Sequence, residues 1–397
     1  MERKKEPIIL PALLFSVYLL LFPIDSALGE LIGTISINNY IAIASLALTV
    51  VFAIKRIMFK FDNFTIIYLV YVIYQFLIMT NGGYFFTNRN IIFLFYNFMT
   101  IIFIHVKWTD RELKLFRYMI VISVIIACII IITNVKFNSS GRLYLALGRN
   151  IDQNYLSANM IFGTALISNS LFKSKYKHTK FFSFVLLVWI MLCIFYLGSR
   201  GSLIGNLVIV ATVYLLNREN RDIKKDIIMF FIAAIAVVIA YMLLPEWIIE
   251  RFSIANMIES GGSGRIQVWS DYLYIYFNGS LSNALFGFGR GYVYDTSSMV
   301  NGKCTHNIFL KSLIEGGIIG LILNLIFIYQ LLNTARKAKT KEMIAVVMGY
   351  LVCGIFLDLD DYRIFPLMIM IIMMFKDNDY YFDYFIRPGK RRIKSSN

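Results

Sequence analysis

The sequence predicts an all-α integral membrane protein of about twelve transmembrane helices, and three observations support this fold class. Hydrophobic residues make up 58% of the 397 residues, only 16% are charged, and the mean hydropathy is +0.67. An ordinary soluble domain carries roughly 25% charged residues. Apolar stretches recur along nearly the whole chain, and about 20 apolar residues suffice for a helix to cross a bilayer. We therefore treat residues 1–397 as a single multi-span membrane domain.

Twelve stretches have the composition of membrane-spanning helices, although several are short for a straight span. They are residues 8–23, 35–54, 64–80, 91–106, 118–133, 155–172, 181–198, 201–216, 227–244, 308–333, 343–357 and 364–375. The first stretch follows Arg3-Lys4-Lys5 and could be read as a signal peptide. Because eleven more stretches follow it, an uncleaved first helix is the preferred interpretation.

Basic residues are distributed unevenly between alternate connecting segments. With a cytoplasmic N-terminus, the inside segments hold 28 of the 39 Lys and Arg residues, and the outside segments hold 10. Basic residues accumulate on the cytoplasmic side of membrane proteins. Both termini are therefore predicted to be cytoplasmic and the longest connection extracytoplasmic. The net charge of +15 is explained by this topology, so membrane lipid is an expected partner and nucleic acid is not.

The longest departure from apolar sequence is residues 245–307, which we predict to be an external loop carrying part of a functional site. Residues 247–257 and 264–277 show helical periodicity. In the second stretch one face carries Trp269, Tyr272, Leu273, Tyr276 and Phe277. Aromatic amphipathic helices of this kind are expected to lie along the outer interface. The glycine-rich residues 287–291 follow no strand, so a dinucleotide-binding motif is excluded.

His306 is the only histidine predicted to be extracytoplasmic, and it directly precedes the stretch 308–333. The positive end of that helix would disfavour an imidazolium and keep the ring competent as a base. A purely structural role is the alternative for a lone histidine. Cys304 and His306 are only two ligands, and no further cysteine or histidine is predicted outside to complete a zinc site. Neither a metal nor a cofactor is therefore expected.

External arginines are candidates for holding phosphate groups, because guanidinium binds phosphate through bidentate hydrogen bonds. Arg200 lies at the tip of a tight hairpin between two spans, and Arg265 follows the flexible residues 260–264. Arg200 and Arg265 are predicted to act together with His306.

Further polar residues near the same outer face are candidates for substrate binding. These candidates are Arg149, Arg290, Asn307, Lys311 and Glu315. Lys311 and Glu315 lie four residues apart on one helix face, so pairing with each other is the alternative. Asp152 or Asn154 could cap the following helix, and Asp152 could instead line the same outer cavity. Neither Asp152 nor Asp361, in the acidic turn 358–363, is assigned a catalytic role.

The motifs occur in a characteristic order. They are Gly198-Ser199-Arg200-Gly201, Gly264-Arg265 with Trp269, Gly287-Phe288-Gly289, and His306-Asn307 followed by Glu315-Gly316-Gly317 and Gly320. This ordered set, with its topology, resembles the O-antigen ligase / Wzy-type polymerase superfamily over about residues 152–320. The segment Asp152-Gln153-Asn154 is also similar, although a proline more often follows the aspartate in that family.

The resemblance implies metal-independent, inverting glycosyl transfer from an undecaprenyl-pyrophosphate-linked oligosaccharide. The reaction would take place at the outer leaflet of a bacterial inner (plasma) membrane. By the same resemblance, His306 would activate the acceptor hydroxyl, while Arg265 and Arg200 would hold the donor pyrophosphate. A chain-length regulator and a flippase are candidate partners.

Three functions follow from this interpretation. The first is a polymerase that joins repeat units into capsule, exopolysaccharide or O-antigen. The second is a ligase that moves a finished glycan onto another acceptor. The third belongs to another class, a transporter or flippase of lipid-linked oligosaccharide. Transporters usually have broken helices and polar sites at the bilayer midplane, whereas the charged span residues here lie in the outer half of one helix.

Overall fold

A computed structural model describes residues 7–24, 36–81, 87–137, 143–145, 152–217, 261–300, 303–361 and 363–377, and isolated positions between 231 and 253. The regular secondary structure of this described chain is almost entirely helical, which confirms the predicted all-helical class. A two-stranded antiparallel hairpin, β1 (Val135–Phe137) and β2 (Leu143–Leu145), is the exception. Most of the stretches 227–244 and 247–257, and Arg149, lie outside the described residues.

The helices of the described chain coincide with eleven of the twelve predicted stretches and add several in the loop region. They are α1 (Leu10–Leu21), α2 (Ile37–Phe52), α3 (Asn63–Asn81), α4 (Asn88–Phe103), α5 (Asp110–Asn134), α6 (Gln153–Ala158), α7 (Ile161–Lys173), α8 (Lys177–Tyr196), α9 (Arg200–Leu216), α10 (Gly261–Phe277), α11 (Leu281–Phe286), α12 (Tyr292–Asp295), α13 (Ile308–Lys337), α14 (Glu342–Gly354) and α15 (Ile364–Phe375). The stretch 155–172 is not one helix, since a turn at Asn159 and Met160 separates α6 from α7.

The predicted count of about twelve spans is not confirmed. By length and composition, four helices of the described chain can cross a membrane, namely Asn63–Thr80, Asp110–Thr133, Lys177–Tyr196 and Ile308–Lys337. Five further apolar segments are shorter, at 10–17 residues each. Stretches such as 201–216 and 364–375 are helical as predicted but shorter than those four helices, and most of 227–244 lies outside the described residues.

Helix α15 forms the centre of the molecule. All of its side chains from Ile364 to Phe375 are buried, and it contacts α4, α13 and α14. A helix that is apolar all round belongs in an interior. Its Phe365 packs against Tyr71, Phe327 and Tyr350 at centroid distances of 5.6–5.9 Å. The turn that precedes α15 is thereby fixed at one end of the helical bundle.

Helices α9 and α14 cross with their backbones close together. A Cβ added at Gly205 would lie 2.3 Å from Cys353 Sγ, and one at Gly349 would lie 2.4 Å from Ile209. Small residues at such crossings allow close helix packing. The crossing places the first residue of α9, Arg200, near the end of α14.

Helix α13 is broken at Gly317, where φ is +62° and ψ is −167°. The break removes intrahelical partners from nearby carbonyls, which then need other donors. Phe288 N donates to the Ile314 carbonyl at 2.9 Å, and Gly289 N donates to the Glu315 carbonyl at 3.0 Å. The glycine-rich loop 287–291 therefore docks backbone against backbone into the break. The Tyr74 hydroxyl donates to the next carbonyl, that of Gly316.

Helix α10 packs onto a small core of its own. Val268, Tyr272 and Tyr276 are buried together with side chains of α12 and α13. The Tyr272 hydroxyl donates to the Val293 carbonyl at 2.8 Å, and burial raises the pKa of Tyr272. The predicted aromatic face is thus largely packed against protein, whereas Phe277 is 76% exposed.

We expect Gly317→Ala to destabilise the protein strongly. The Gly317 backbone lies in a region that is essentially open only to glycine, where another residue costs of order 1–3 kcal/mol, and an alanine Cβ would lie 2.4 Å from the Leu285 backbone. Gly316→Ala is the matched control, because its Cβ would meet Tyr74 at 3.4 Å, an ordinary contact. Thermal unfolding of the detergent-purified proteins measures the difference. Equal unfolding midpoints for the two variants would contradict this account of the break.

Candidate functional site

Asp358 organises the segment that carries His306. Its carboxylate is fully buried and accepts hydrogen bonds from Thr305 Oγ1 at 2.6 Å, His306 N at 3.0 Å and Asn307 N at 3.0 Å. A buried carboxylate is stable only with donors of this kind. The turn before α15 and the start of α13 are therefore held together by one side chain.

The backbone of His306 is strained. Its φ of +48° is the only positive value among the non-glycine residues of the described chain, and such conformations cost of order 1–3 kcal/mol. On one side Asp358 fixes the backbone. On the other, Asn307 caps α13, since its Oδ1 accepts from Phe309 N at 2.9 Å and Leu310 N at 3.0 Å. The direction of the imidazole is thus set by its surroundings.

The His306 ring lies between the buried carboxylate and an open cleft of about 600 Å³. Its side chain is 32% exposed, and Nδ1 lies 3.8 Å from Asp358 Oδ2. Nδ1 is buried and has no hydrogen-bond partner within the described residues. A small rotation of the ring would bring Nδ1–H onto the carboxylate and leave the other nitrogen as a base.

The cleft is lined mainly by polar and charged side chains from α4, α6 and α12 and from residues 304–306. These include Asn88, Arg89, Asn90, Asp152, Tyr155, Asp295, Cys304 and His306. The Arg89 guanidinium stacks on the Tyr294 ring, 3.4 Å from its centroid. Asp152 caps α6 by accepting from Asn154 N at 2.8 Å, as expected, and it lines the cleft as well.

The two arginines predicted to act with His306 are carried by segments that meet at Phe356. The Arg265 guanidinium lies 5.5 Å from the centre of the Phe356 ring. The residue after Arg200 packs on the same ring, because a Cβ added at Gly201 would lie 2.9 Å from Phe356 Cδ2. Since Asp358 follows two residues later, all three predicted catalytic residues belong to segments that converge on residues 356–358.

Helix α10 is also fixed directly to the histidine segment. Trp269 Nε1 donates to the Thr305 carbonyl at 2.8 Å. Next to Arg200, Ser199 Oγ donates to Asn154 Oδ1 at 2.9 Å, and this bond joins the start of α9 to α6. These contacts explain how residues far apart in sequence reach one end of the bundle.

Three of the substrate-binding candidates lie in the protein interior. Arg290 is 2% exposed, donates to Gln75 Oε1 at 2.8 Å and stacks 3.6 Å from the centre of the Phe93 ring. Lys311 Nζ lies 3.8 Å from Glu315 Oε2 and 3.5 Å from Asp360 Oδ1.

Glu315 Oε1 in turn accepts from Gly291 N at 3.0 Å and Val293 N at 3.3 Å. The alternative weighed for Lys311 and Glu315, pairing with each other, is what the structure shows. Asn307 is a helix cap, and Arg149 lies outside the described residues.

Three residues in or beside the site had no role assigned from the sequence, namely Asp358, Asp360 and Arg89. The acidic turn 358–363 was visible in the sequence, but nothing local distinguishes a carboxylate that clamps His306 from one that faces solvent. Arg89 lies in a short connection far from the motif order. It lines the same cleft as His306 and stacks on Tyr294 of α12, a tertiary contact that its sequence neighbours do not indicate.

The fold and the site define a helical membrane protein with a histidine and a buried carboxylate at one end of its bundle. A family model described as O-antigen ligase matches residues 184–325. This match confirms the resemblance stated above, and it spans Arg200, Arg265 and His306. It supports a glycosyltransferase-like activity in polysaccharide biosynthesis. A search of curated proteins finds no match to the chain.

The thiol of Cys304 provides a test of the site and of the topology. Cys304 is half-buried, whereas Cys128, Cys193 and Cys353 are buried, and burial raises the pKa of Cys304 to about 11. Because the thiolate is the reactive form, we expect alkylation of Cys304 to rise about tenfold per pH unit between pH 7 and pH 9.

Mass spectrometry after treatment with a membrane-impermeant maleimide measures this alkylation, and Cys304→Ser is the control. In intact cells, labelling at Cys304 is expected without opening the inner membrane. Labelling that requires opened inner membranes would place His306 on the cytoplasmic side and contradict the predicted topology.

Proposed function

We propose that the protein is a polymerase that joins undecaprenyl-pyrophosphate-linked oligosaccharide repeat units into capsule, exopolysaccharide or O-antigen. The reaction takes place at the outer leaflet of a bacterial inner or plasma membrane and uses no metal. The observation that carries this proposal is the clamped His306 facing a polar cleft, within a segment that matches O-antigen ligases.

His306 acts as the general base. A hydroxyl of the acceptor repeat attacks the anomeric carbon of the donor, the new glycosidic C–O bond forms, and the bond to pyrophosphate breaks with inversion. The hydroxyl proton passes to the imidazole. The start of α13 disfavours the resulting imidazolium, whereas Asp358, with Oδ2 3.8 Å from Nδ1, stabilises it and orients the ring.

Arg265 and Arg200 bind the pyrophosphate as negative charge grows on the leaving group. Arg265 rests on Phe356, which limits the freedom of its guanidinium. Arg200 is the first residue of α9, a helix of 17 residues whose positive end favours an anion. Both arginines are half-buried, so they can hold phosphate where water is partly excluded.

A ligase remains the second candidate, because the donor chemistry is the same and only the acceptor differs. The transporter interpretation has less support. The described charged residues in the outer half of α13 are buried and paired within the protein.

We expect the purified protein to convert a lipid-linked repeat into a ladder of longer products. His306→Ala should lower the rate by at least about 100-fold, since general-base catalysis contributes roughly 10²–10⁴-fold. The matched control is His178→Ala, an exposed histidine near the start of α8. Gel analysis of labelled products measures both. An undiminished ladder from His306→Ala would rule out the proposed base.

The same substitution separates the candidate functions. A single transfer to a different acceptor by the unmodified protein indicates a ligase. In cells, loss of polymer by His306→Ala with continued outward display of lipid-linked repeats fits an enzyme. A block in that display fits a transporter.

We expect Arg265→Lys to lose most of its activity, by about 10-fold or more, although the positive charge is kept. A lysine cannot reproduce the planar, bidentate hydrogen bonds of arginine, and hydrogen bonds to charged groups are worth about 1.5–3 kcal/mol. Arg111→Lys, at the exposed start of α5, is the control. Initial rates from the ladder assay measure the effect. Full activity in Arg265→Lys would argue against bidentate phosphate binding.

A further inference from the structure

The cleft beside His306 is lined by more carboxylates than cationic side chains. Of its described lining residues, Asp152 and Asp295 are exposed carboxylates, and Asp358 adds a buried one, against the single guanidinium of Arg89. Arg200 and Arg265 do not line it. These carboxylates repel another anion, so a pyrophosphate is poorly accommodated here.

Its side chains suit hydroxyl groups instead. Arg89 offers hydrogen-bond donors and Asp295 offers acceptors, while a sugar hydroxyl can both donate and accept. Asn88 and Asn90, from the first turn of α4, carry both kinds of group. Stacking on Tyr294 holds the Arg89 guanidinium in one orientation. At about 600 Å³, the space falls within the range of small-molecule sites.

We infer that this cleft is the subsite for the uncharged, hydroxyl-rich end of the acceptor glycan, and that Arg89 and Asp295 determine which acceptor is bound. The inference rests on the proposed function, because it assigns the two substrates of that reaction to different parts of the site. The acceptor lies in the cleft with its reacting hydroxyl at His306. The donor pyrophosphate lies with Arg200 and Arg265.

Cys304 lies in the same cleft and serves as a native reporter of its occupancy. The probe is the soluble oligosaccharide repeat, released by mild acid from the lipid-linked form extracted from cells. We expect this repeat to protect Cys304 from alkylation in the purified full-length protein at pH 9. Arg89→Ala and Asp295→Ala should raise the concentration needed for half-protection at least tenfold.

Matched controls are available for both substitutions. Arg111, like Arg89, is the second residue of a helix and is exposed, and Asp271 is a carboxylate on α10 that does not line the cleft. Arg111→Ala and Asp271→Ala should leave protection unchanged. Thermal unfolding midpoints equal to that of the unmodified protein establish that each variant is folded before its protection is compared.

Three outcomes overturn the inference. They are no protection by the repeat, unchanged protection in both cleft variants, and protection by inorganic pyrophosphate at the same concentration as the repeat. The ladder assay separates this failure from failure of the proposed function. A ladder without protection of Cys304 leaves the function standing and removes the subsite. Protection with no transfer of any kind supports a glycan-binding cleft and removes the proposed reaction.

Discussion

The site depends on one buried carboxylate. Asp358 gathers Thr305, His306 and Asn307 through three hydrogen bonds, and it lies more than 50 residues away in sequence. Leaving a buried charge without its partners costs about 3–5 kcal/mol, so the carboxylate and the strained His306 backbone stabilise each other. The same turn carries Phe356, on which Arg265 rests. One short segment before the buried helix α15 thus determines where His306 lies and what the Arg265 guanidinium packs against.

The interior charges below the site are best understood as support for this arrangement. Lys311 pairs with Glu315 on its own helix and with Asp360 in the turn, while Glu315 accepts from the backbone of the glycine-rich loop. Buried ion pairs contribute little net stability, but breaking one is costly. The network therefore fixes the relative position of α13, the loop and the turn. The break at Gly317 also fixes the loop on α13, because backbone N–H groups of the loop donate to the Ile314 and Glu315 carbonyls.

Features encoded locally were predictable from sequence, and those created by packing were not. Apolar composition located the helices, and the capping position of Asp152 followed from its side chain. The motif order predicts that Arg200, Arg265 and His306 act together, which stays a prediction. In contrast, the predicted count of about twelve spans is not confirmed, because four helices of the described chain are long and apolar enough to cross a membrane. The burial of Arg290 against Phe93 and the role of Asp358 arise from tertiary contacts that no local pattern encodes. The family match ends at residue 325, so it too omits Asp358.

The proposed reaction requires two substrates of opposite character at one base. A donor carrying a pyrophosphate needs cations, whereas an acceptor hydroxyl must approach an imidazole without displacing that anion. In this protein Arg265 and the residue after Arg200 pack against Phe356, and carboxylates collect in the cleft lined by Arg89, Asp152 and Asp295. His306 lines that cleft and is bonded through its backbone to Asp358, two residues beyond Phe356. A surface that only conducted a lipid-linked glycan across the membrane would have no need for this separation of charge around a clamped base. A transferase does need it, because the acceptor hydroxyl must lose its proton to a base while negative charge grows on the pyrophosphate of the donor.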